Sequence, residues 1–142
     1  LLPGDIGSAG VGSITVNNPA PGGGVSNGAN FTVTATPQNP SPTLTQLLPA
    51  NVLARRADST PLVVTLMGSN FMPSAQVFWN GVFRPSKFID STKLEVILPA
   101  ADVAAGGAGA LTVVNPPPGG GATDAAAFTI FGYGIYLPFV SR

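Results

Sequence analysis

The chain has 142 residues, room for one β-sandwich of about 100 residues and part of a second. Its net charge is zero and only 8% of its residues are charged. The basic residues Arg55, Arg56, Arg84, Lys87, Lys93 and Arg142 are scattered, which excludes the cationic footprint that nucleic acid or an anionic lipid surface requires. With no Cys and no His, thiol chemistry, thiolate or imidazole metal ligation and His-based acid/base catalysis are excluded too.

Gly (18) and Pro (15) are abundant enough to suggest disorder, but 44% of the residues are hydrophobic. They stand in short runs between Pro, Gly and Asn clusters, which reads as strands and turns. The chain starts at Leu1 without Met or a signal-like leader, so it is read as a mature or excised product, and no apolar run of about 20 residues predicts a membrane span. The first expected strands hold Ile14 and Val16, then Phe31 and Val33, on either side of Asn18-Pro19 and Gly22-Gly23-Gly24. Pro37, Pro40 and Pro42 predict a stiff, extended connector over 37–42. Further strands are expected at 43–48, 62–67, 76–79, 83–89, 93–98, 110–114 and 127–131, with Asn80-Gly81 as a tight hairpin turn. Phe71, Phe78, Trp79, Phe88 and Phe128 are the expected aromatic core, and Gly68 and Gly81 the expected positive-φ positions. This spacing predicts an all-β antiparallel sandwich over 43–131.

Residues 111–130, LTVVNPPPGGGATDAAAFTI, repeat residues 14–33, ITVNNPAPGGGVSNGANFTV, without a gap at an offset of 97. The alignment pairs Ile14 with Leu111, Val16 with Val113, Asn18 with Asn115 and Phe31 with Phe128, and upstream it sets Asp5-Ile6 on Asp102-Val103. Nothing before Leu1 matches residues 43–97, so 1–36 is read as the last strands of a second module whose front is absent. Ile14, Val16, Phe31 and Val33 then form an inward face with no sheet opposite it in this chain. Burying such a side chain is worth ~1.5–3 kcal/mol, which leaves roughly 6–12 kcal/mol of burial unused over the four. Neither Gly run is followed by Lys-Ser/Thr or by a helix, so both are read as turns and not as phosphate cradles.

Several segments resemble the IPT/TIG family of early-set immunoglobulin-like domains. Leu66-Met67-Gly68-Ser69-Asn70-Phe71 is similar to the family's tGxnF segment, Val77-Phe78-Trp79-Asn80-Gly81 to its strand ending in NG, and Leu111 through Gly121 to its vTVtNPxGG close. The resemblance covers 41–131 fully and 1–34 in part. It implies an immunoglobulin-like β-sandwich with one complete module plus the C-terminal portion of another, and it implies no particular activity.

None of the carboxylates Asp5, Asp58, Asp90, Glu95, Asp102 and Asp124 stands in a calcium-loop pattern or a close acidic pair. No catalytic residue, metal or cofactor is therefore expected; Asp5 and Asp102 are read as turn or cap residues, and Arg55-Arg56 as a solvated loop. Asn30-Phe31-Thr32 matches a glycosylation sequon but falls on an expected strand. Beyond the complete module, 132–142 reads GYGIYLPFVSR, with Ile135, Leu137 and Phe139 on one face and Tyr136 and Val140 on the other. That is the pattern of a surplus strand, limited by Pro138. The tail also resembles the closing segment of secreted surface proteins of the Chloroflexota type.

The expected function is a non-enzymatic, extracellular structural subunit that adds strands head to tail between copies and builds a cell-surface filament or sheath. Its inter-subunit contacts would fall on Ile14, Val16, Phe31 and Val33 and on Ile135, Tyr136, Leu137, Phe139 and Val140. One alternative is an adhesion or spacer piece of a larger multi-module secreted protein. Another is a glycan-binding accessory module of a secreted polysaccharide enzyme, with Trp79, Tyr133 and Tyr136 as stacking rings.

Overall fold

Along residues 62–66 and 109–115 every second side chain is buried, so each strand presents one dry and one wetter face. Such strands are stable only when two sheets close their dry faces on each other. The computed structural model describes residues 7–56 and 59–132. The chain divides between Pro37 and Gln38 into two units.

The N-terminal unit is built from β1 (Gly10–Ile14), β2 (Asn17–Asn18), β3 (Gly24–Val25) and β4 (Ala29–Val33), with β1 antiparallel to β4 and β2 to β3. The C-terminal unit contains β5 (Thr43–Leu48), β6 (Asn51–Leu53), β7 (Leu62–Ser69), β8 (Gln76–Trp79), β9 (Val82–Arg84), β10 (Ser86–Asp90), β11 (Lys93–Leu98), β12 (Gly107–Asn115), β13 (Gly121–Ala122) and β14 (Ala126–Phe131). One sheet runs β10-β11-β7-β5; the other runs β6-β14-β12-β8-β9, with β13 also on β12. The result is an all-β, immunoglobulin-like sandwich.

Between the sheets lie Val64, Leu66, Leu94, Val96 and Leu98 from one side and Val77, Trp79, Leu111, Val113, Phe128 and Ile130 from the other. Trp79 meets Phe128 edge to face, with ring centroids 5.7 Å apart and planes at 78°. Such a pair adds about 0.5–1.5 kcal/mol beyond its area burial.

Expected strands 43–48, 76–79 and 93–98 coincide with β5, β8 and β11. The expected strand 83–89 is instead two strands in different sheets, β9 and β10, broken at Pro85, which has no N–H to give a ladder and whose carbonyl accepts from Ile97 N at 3.0 Å. Gly81 follows Asn80 through the hairpin turn with φ +81°, as expected, but Gly68 is not at positive φ; the left-handed residue nearby is Asn70, at +59°. Gly68 is needed for space, because a Cβ there would fall 2.6 Å from the Phe71 ring and closer still to the Thr43 carbonyl. Phe78 is likewise not core: between buried Val77 and Trp79 it points to the outer face and packs edge to face on Phe83, with centroids 6.1 Å apart.

Candidate docking face

The repeat seen in the sequence is reproduced bond for bond at the same offset. Gly10, Gly12 and Ile14 of β1 lie opposite Val33, Phe31 and Ala29; Gly107, Gly109 and Leu111 of β12 lie opposite Ile130, Phe128 and Ala126. Ser26 N donates to Val16 O at 2.8 Å and Val16 N donates to Ser26 Oγ at 2.9 Å. Their counterparts are Thr123 N to Val113 O at 2.9 Å and Val113 N to Thr123 Oγ1 at 3.0 Å. Hydroxyls at 26 and 123 thus close the same turn in both units, and the Ala20-Pro21 and Pro117-Pro118 bonds are both cis.

Burial separates the two copies. Leu111, Val113 and Phe128 are 0% exposed, whereas Ile14 is 46% and Val16 61% exposed, and Phe31 and Val33 are half-buried. The residues that would form a sandwich core are therefore an accessible apolar face. A groove of about 140 Å³ runs along it, lined among others by Gly10, Gly12, Phe31 and Val33.

Gly12 matters for its lack of a side chain. In the complete module a Cβ on Gly109 would fall inside the Trp79 ring, so that glycine is the seat of the indole. At Gly12 the nearest atoms are Cε1 and Cζ of Phe31, 2.5 Å from an added Cβ, so Phe31 of β4 leans over the notch in the neighbouring strand β1. Sequence reasoning missed this notch; the repeat alignment of Gly12 with Gly109 was the available signal, but the ring that occupies Gly109 lies 30 residues away.

The turn at 115–120 has a second role. Asn39 N donates to Pro118 O and Gly120 N to Asn39 O, both at 2.7 Å, while Asn39 Nδ2 donates to Pro116 O at 2.7 Å and Ser41 Oγ to Gly120 O at 2.8 Å. Asn115 Nδ2 donates to Pro40 O at 2.8 Å and to Asn70 O at 2.7 Å, and Asn70 Nδ2 donates to Ser41 O at 3.0 Å. Residues 39–41, part of the stiff, extended connector expected over 37–42, are thus tied along the module's edge. In the N-terminal unit the matching residues 18–23 are exposed.

Trp79 is only 4% exposed and is enclosed by Phe128 and Gly109, so it cannot stack on a sugar. Tyr133, Tyr136 and the expected donor residues Ile135, Leu137, Phe139 and Val140 lie outside the described residues, as do Asp5 and Asp58. Asp102, in a short 3-10 turn, holds Arg84 through paired contacts, Oδ1 to Nη2 at 2.7 Å and Oδ2 to Nε at 2.5 Å. That bond raises the guanidinium above its usual range. Among the described residues no group of three or more metal-ligating side chains comes together, and no helix is long and apolar enough to cross a membrane.

Asp90 accepts from Thr92 Oγ1 at 2.6 Å and from Thr92 N at 2.7 Å, and these bonds hold its carboxyl below the usual range. A depressed folded value stabilises above the unfolded pKa and is lost as pH falls through the folded one. Carboxyl NMR should therefore show Asp90 titrating below about 3.9, the ordinary value, and Thr92→Val should move that midpoint up.

The IPT/TIG domain family matches residues 57–130, a little over half of the chain. No curated protein matches it. Among solved structures, an auxiliary nutrient binding protein from Bacteroides ovatus is similar at 18% identity with a TM-score of 0.43, over 64% of this chain and 21% of that one. The chain therefore spans about a fifth of the length of that protein.

Proposed function

The chain belongs to the IPT/TIG domain family, and from that premise we propose that it is a non-enzymatic extracellular structural segment that joins Ig-like modules by strand complementation. In the fullest form of this reading, copies assemble into a cell-surface filament or sheath. The observation that supports it is the open face of the N-terminal unit, where Ile14 and Val16 are exposed and their counterparts Leu111 and Val113 are not. Water contact at Ile14 and Val16 forgoes up to ~1.5–3 kcal/mol each, and the half-buried Phe31 and Val33 forgo less; a neighbouring module recovers this by covering them. The tail residues Ile135, Tyr136, Leu137, Phe139 and Val140 are one candidate donor. Extracellular placement is supported by the family and by a low-charge, Pro- and Gly-rich composition.

A second reading, a segment of a longer tandem-module surface protein, is favoured by the 97-residue period and by the tying of residues 39–41 to the turn at 115–120. Both readings use the same face. Unfolding the chain, refolding it at several concentrations and sizing it with negative-stain microscopy separates them. Self-assembly predicts concentration-dependent filaments that Val16→Asp abolishes; deleting 133–142 then tells whether the tail or a whole module is the donor. A monomer at every concentration, with early proteolysis within residues 7–36, overturns self-assembly and leaves the tandem segment.

A further inference from the structure

We infer that the open face of residues 7–37 is a docking site for the front half of an IPT/TIG repeat, recognised by a ring-accepting notch at Gly12 and a leader-binding turn at 18–23. This rests on the reading that the N-terminal unit is completed by another Ig-like module, and it names the chemistry of the completing segment.

The requirement on the incoming strand follows from the complete module. There β8 pairs with β12 so that Trp79 lies opposite Leu111 and Val77 opposite Val113. Moved back by 97 residues, the same register sets an aromatic ring opposite Ile14, seated on Gly12, and an aliphatic side chain opposite Val16. Phe31 now leans over Gly12 and must turn aside for that ring, as Phe128 stands edge-on to Trp79. Only the far end of a side chain moves, so the notch opens without backbone rearrangement.

The second element is polar. The groups that hold Asn39, Pro40 and Ser41 are Pro118 O, Gly120 N, Pro116 O, Gly120 O and the Asn115 amide. Their counterparts at Pro21, Gly23, Pro19 and Asn18 stand in a turn of the same pairing, where Asn17 and Asn18 face Val25 and Gly24 as Val114 and Asn115 face Ala122 and Gly121. Gly23 and Gly120 are required for the same reason: a Cβ on either would collide with the two preceding carbonyls, Asn18 and Pro19 or Asn115 and Pro116. An extended segment with an Asn side chain, a Pro and a hydroxyl fits these donors and acceptors. A lone strand such as the tail, which carries no Asn, satisfies the notch and leaves the turn unused, whereas a repeat front half brings both elements in the right order.

The probes are synthetic peptides added to the full chain and followed by anisotropy of a fluorescent label and by amide NMR. A peptide of residues 74–84, carrying β8 and β9, should bind with shifts centred on Gly12, Ile14 and Val16. Either Gly12→Val in the chain or Trp79→Ala in the peptide should weaken it at least about tenfold, the loss of one anchoring ring. The peptide substitution keeps the test independent of whether the altered chain folds. A peptide of residues 36–43 should shift the amides of Asn18 and Gly23, and Asn39→Ala in it should remove the effect. No binding of the 74–84 peptide up to millimolar concentration, indifference to both substitutions, or tighter binding by a 133–142 peptide overturns the inference. Self-assembly of the chain is scored separately, so filaments without peptide selectivity would sink this inference alone, and selectivity in a strictly monomeric chain would sink self-assembly alone.

Discussion

Gly109→Val is expected to unfold the complete module, and Gly12→Val, at the equivalent position 97 residues earlier, to leave that module's melting unchanged. The Gly109 side chain would occupy the space of the Trp79 indole, which is 4% exposed and braced on Phe128 at 0%. An indole in such a site has nowhere to go, so the variant must either expel it or part the sheets. Expulsion costs about as much as deleting the ring, ~3–5 kcal/mol, and a 1 kcal/mol loss lowers the melting point of a domain this size by about 4–8 °C. A fall of more than ~10 °C, or no transition at all, is the expected result. Circular dichroism follows the melt, and the fluorescence of Trp79, the single Trp of the chain, should shift to the red in the folded baseline of Gly109→Val only. Equal melting of both variants with wild type would mean that the glycine is not the seat of the indole.

The same pair of glycines shows how far the sequence could be read. Hairpin chemistry is local: Asn80-Gly81 between two apolar runs located β8 and the turn that follows it, and the repeated Asn-Pro and triple-Gly pattern located both copies of the back hairpin. The exposure of Ile14 and Val16 against burial of Leu111 and Val113 was legible for the same reason, because aliphatic side chains in the same register make the comparison residue by residue. What escaped were contacts between segments distant in sequence. Gly68 reads as a turn glycine until Thr43 and Phe71 are seen crowding it. Phe78 reads as core until the alternation along β8 is anchored by Val77 and Trp79 facing the opposite sheet. β6 is too short for a periodicity signal and owes its existence to a parallel pairing of Asn51, Val52 and Leu53 with Thr129, Ile130 and Phe131. Pro85 was visible, but the change of sheet that it marks depends on the register of β11.

Asn115→Asp is expected to destabilise the complete module more than Asn115→Ala, with a pH dependence that Asn18→Asp lacks. Asn115 is 1% exposed, and its amide nitrogen donates to both Pro40 O and Asn70 O. Alanine leaves those two carbonyls without their donor, at about 1–3 kcal/mol each if they stay dry. Part of that is offset because the Asn115 Oδ1, which has no partner among the described residues, is removed as well. Aspartate keeps the shape and replaces the donor with a charged acceptor aimed at two carbonyl oxygens, which neither burial nor hydrogen bonding can stabilise. Its carboxyl must therefore titrate above the usual range in the folded chain. For a carboxyl raised on folding, protonation favours the folded state, so the deficit is smallest below the unfolded pKa and grows as pH rises through the folded one. Denaturant titrations at acid and neutral pH should show that growth for Asn115→Asp, a flat deficit for Asn115→Ala, and neither for the exposed Asn18. Amide exchange supplies the local readout, since Asn39 N–H is protected by Pro118 O only while the connector is held. Faster exchange at Asn39 in both Asn115 variants, with β7 and β11 still protected, would place the loss at the clamp. Uniform acceleration across the sheets would instead make Asn115 a general core residue with no particular hold on residues 39–41.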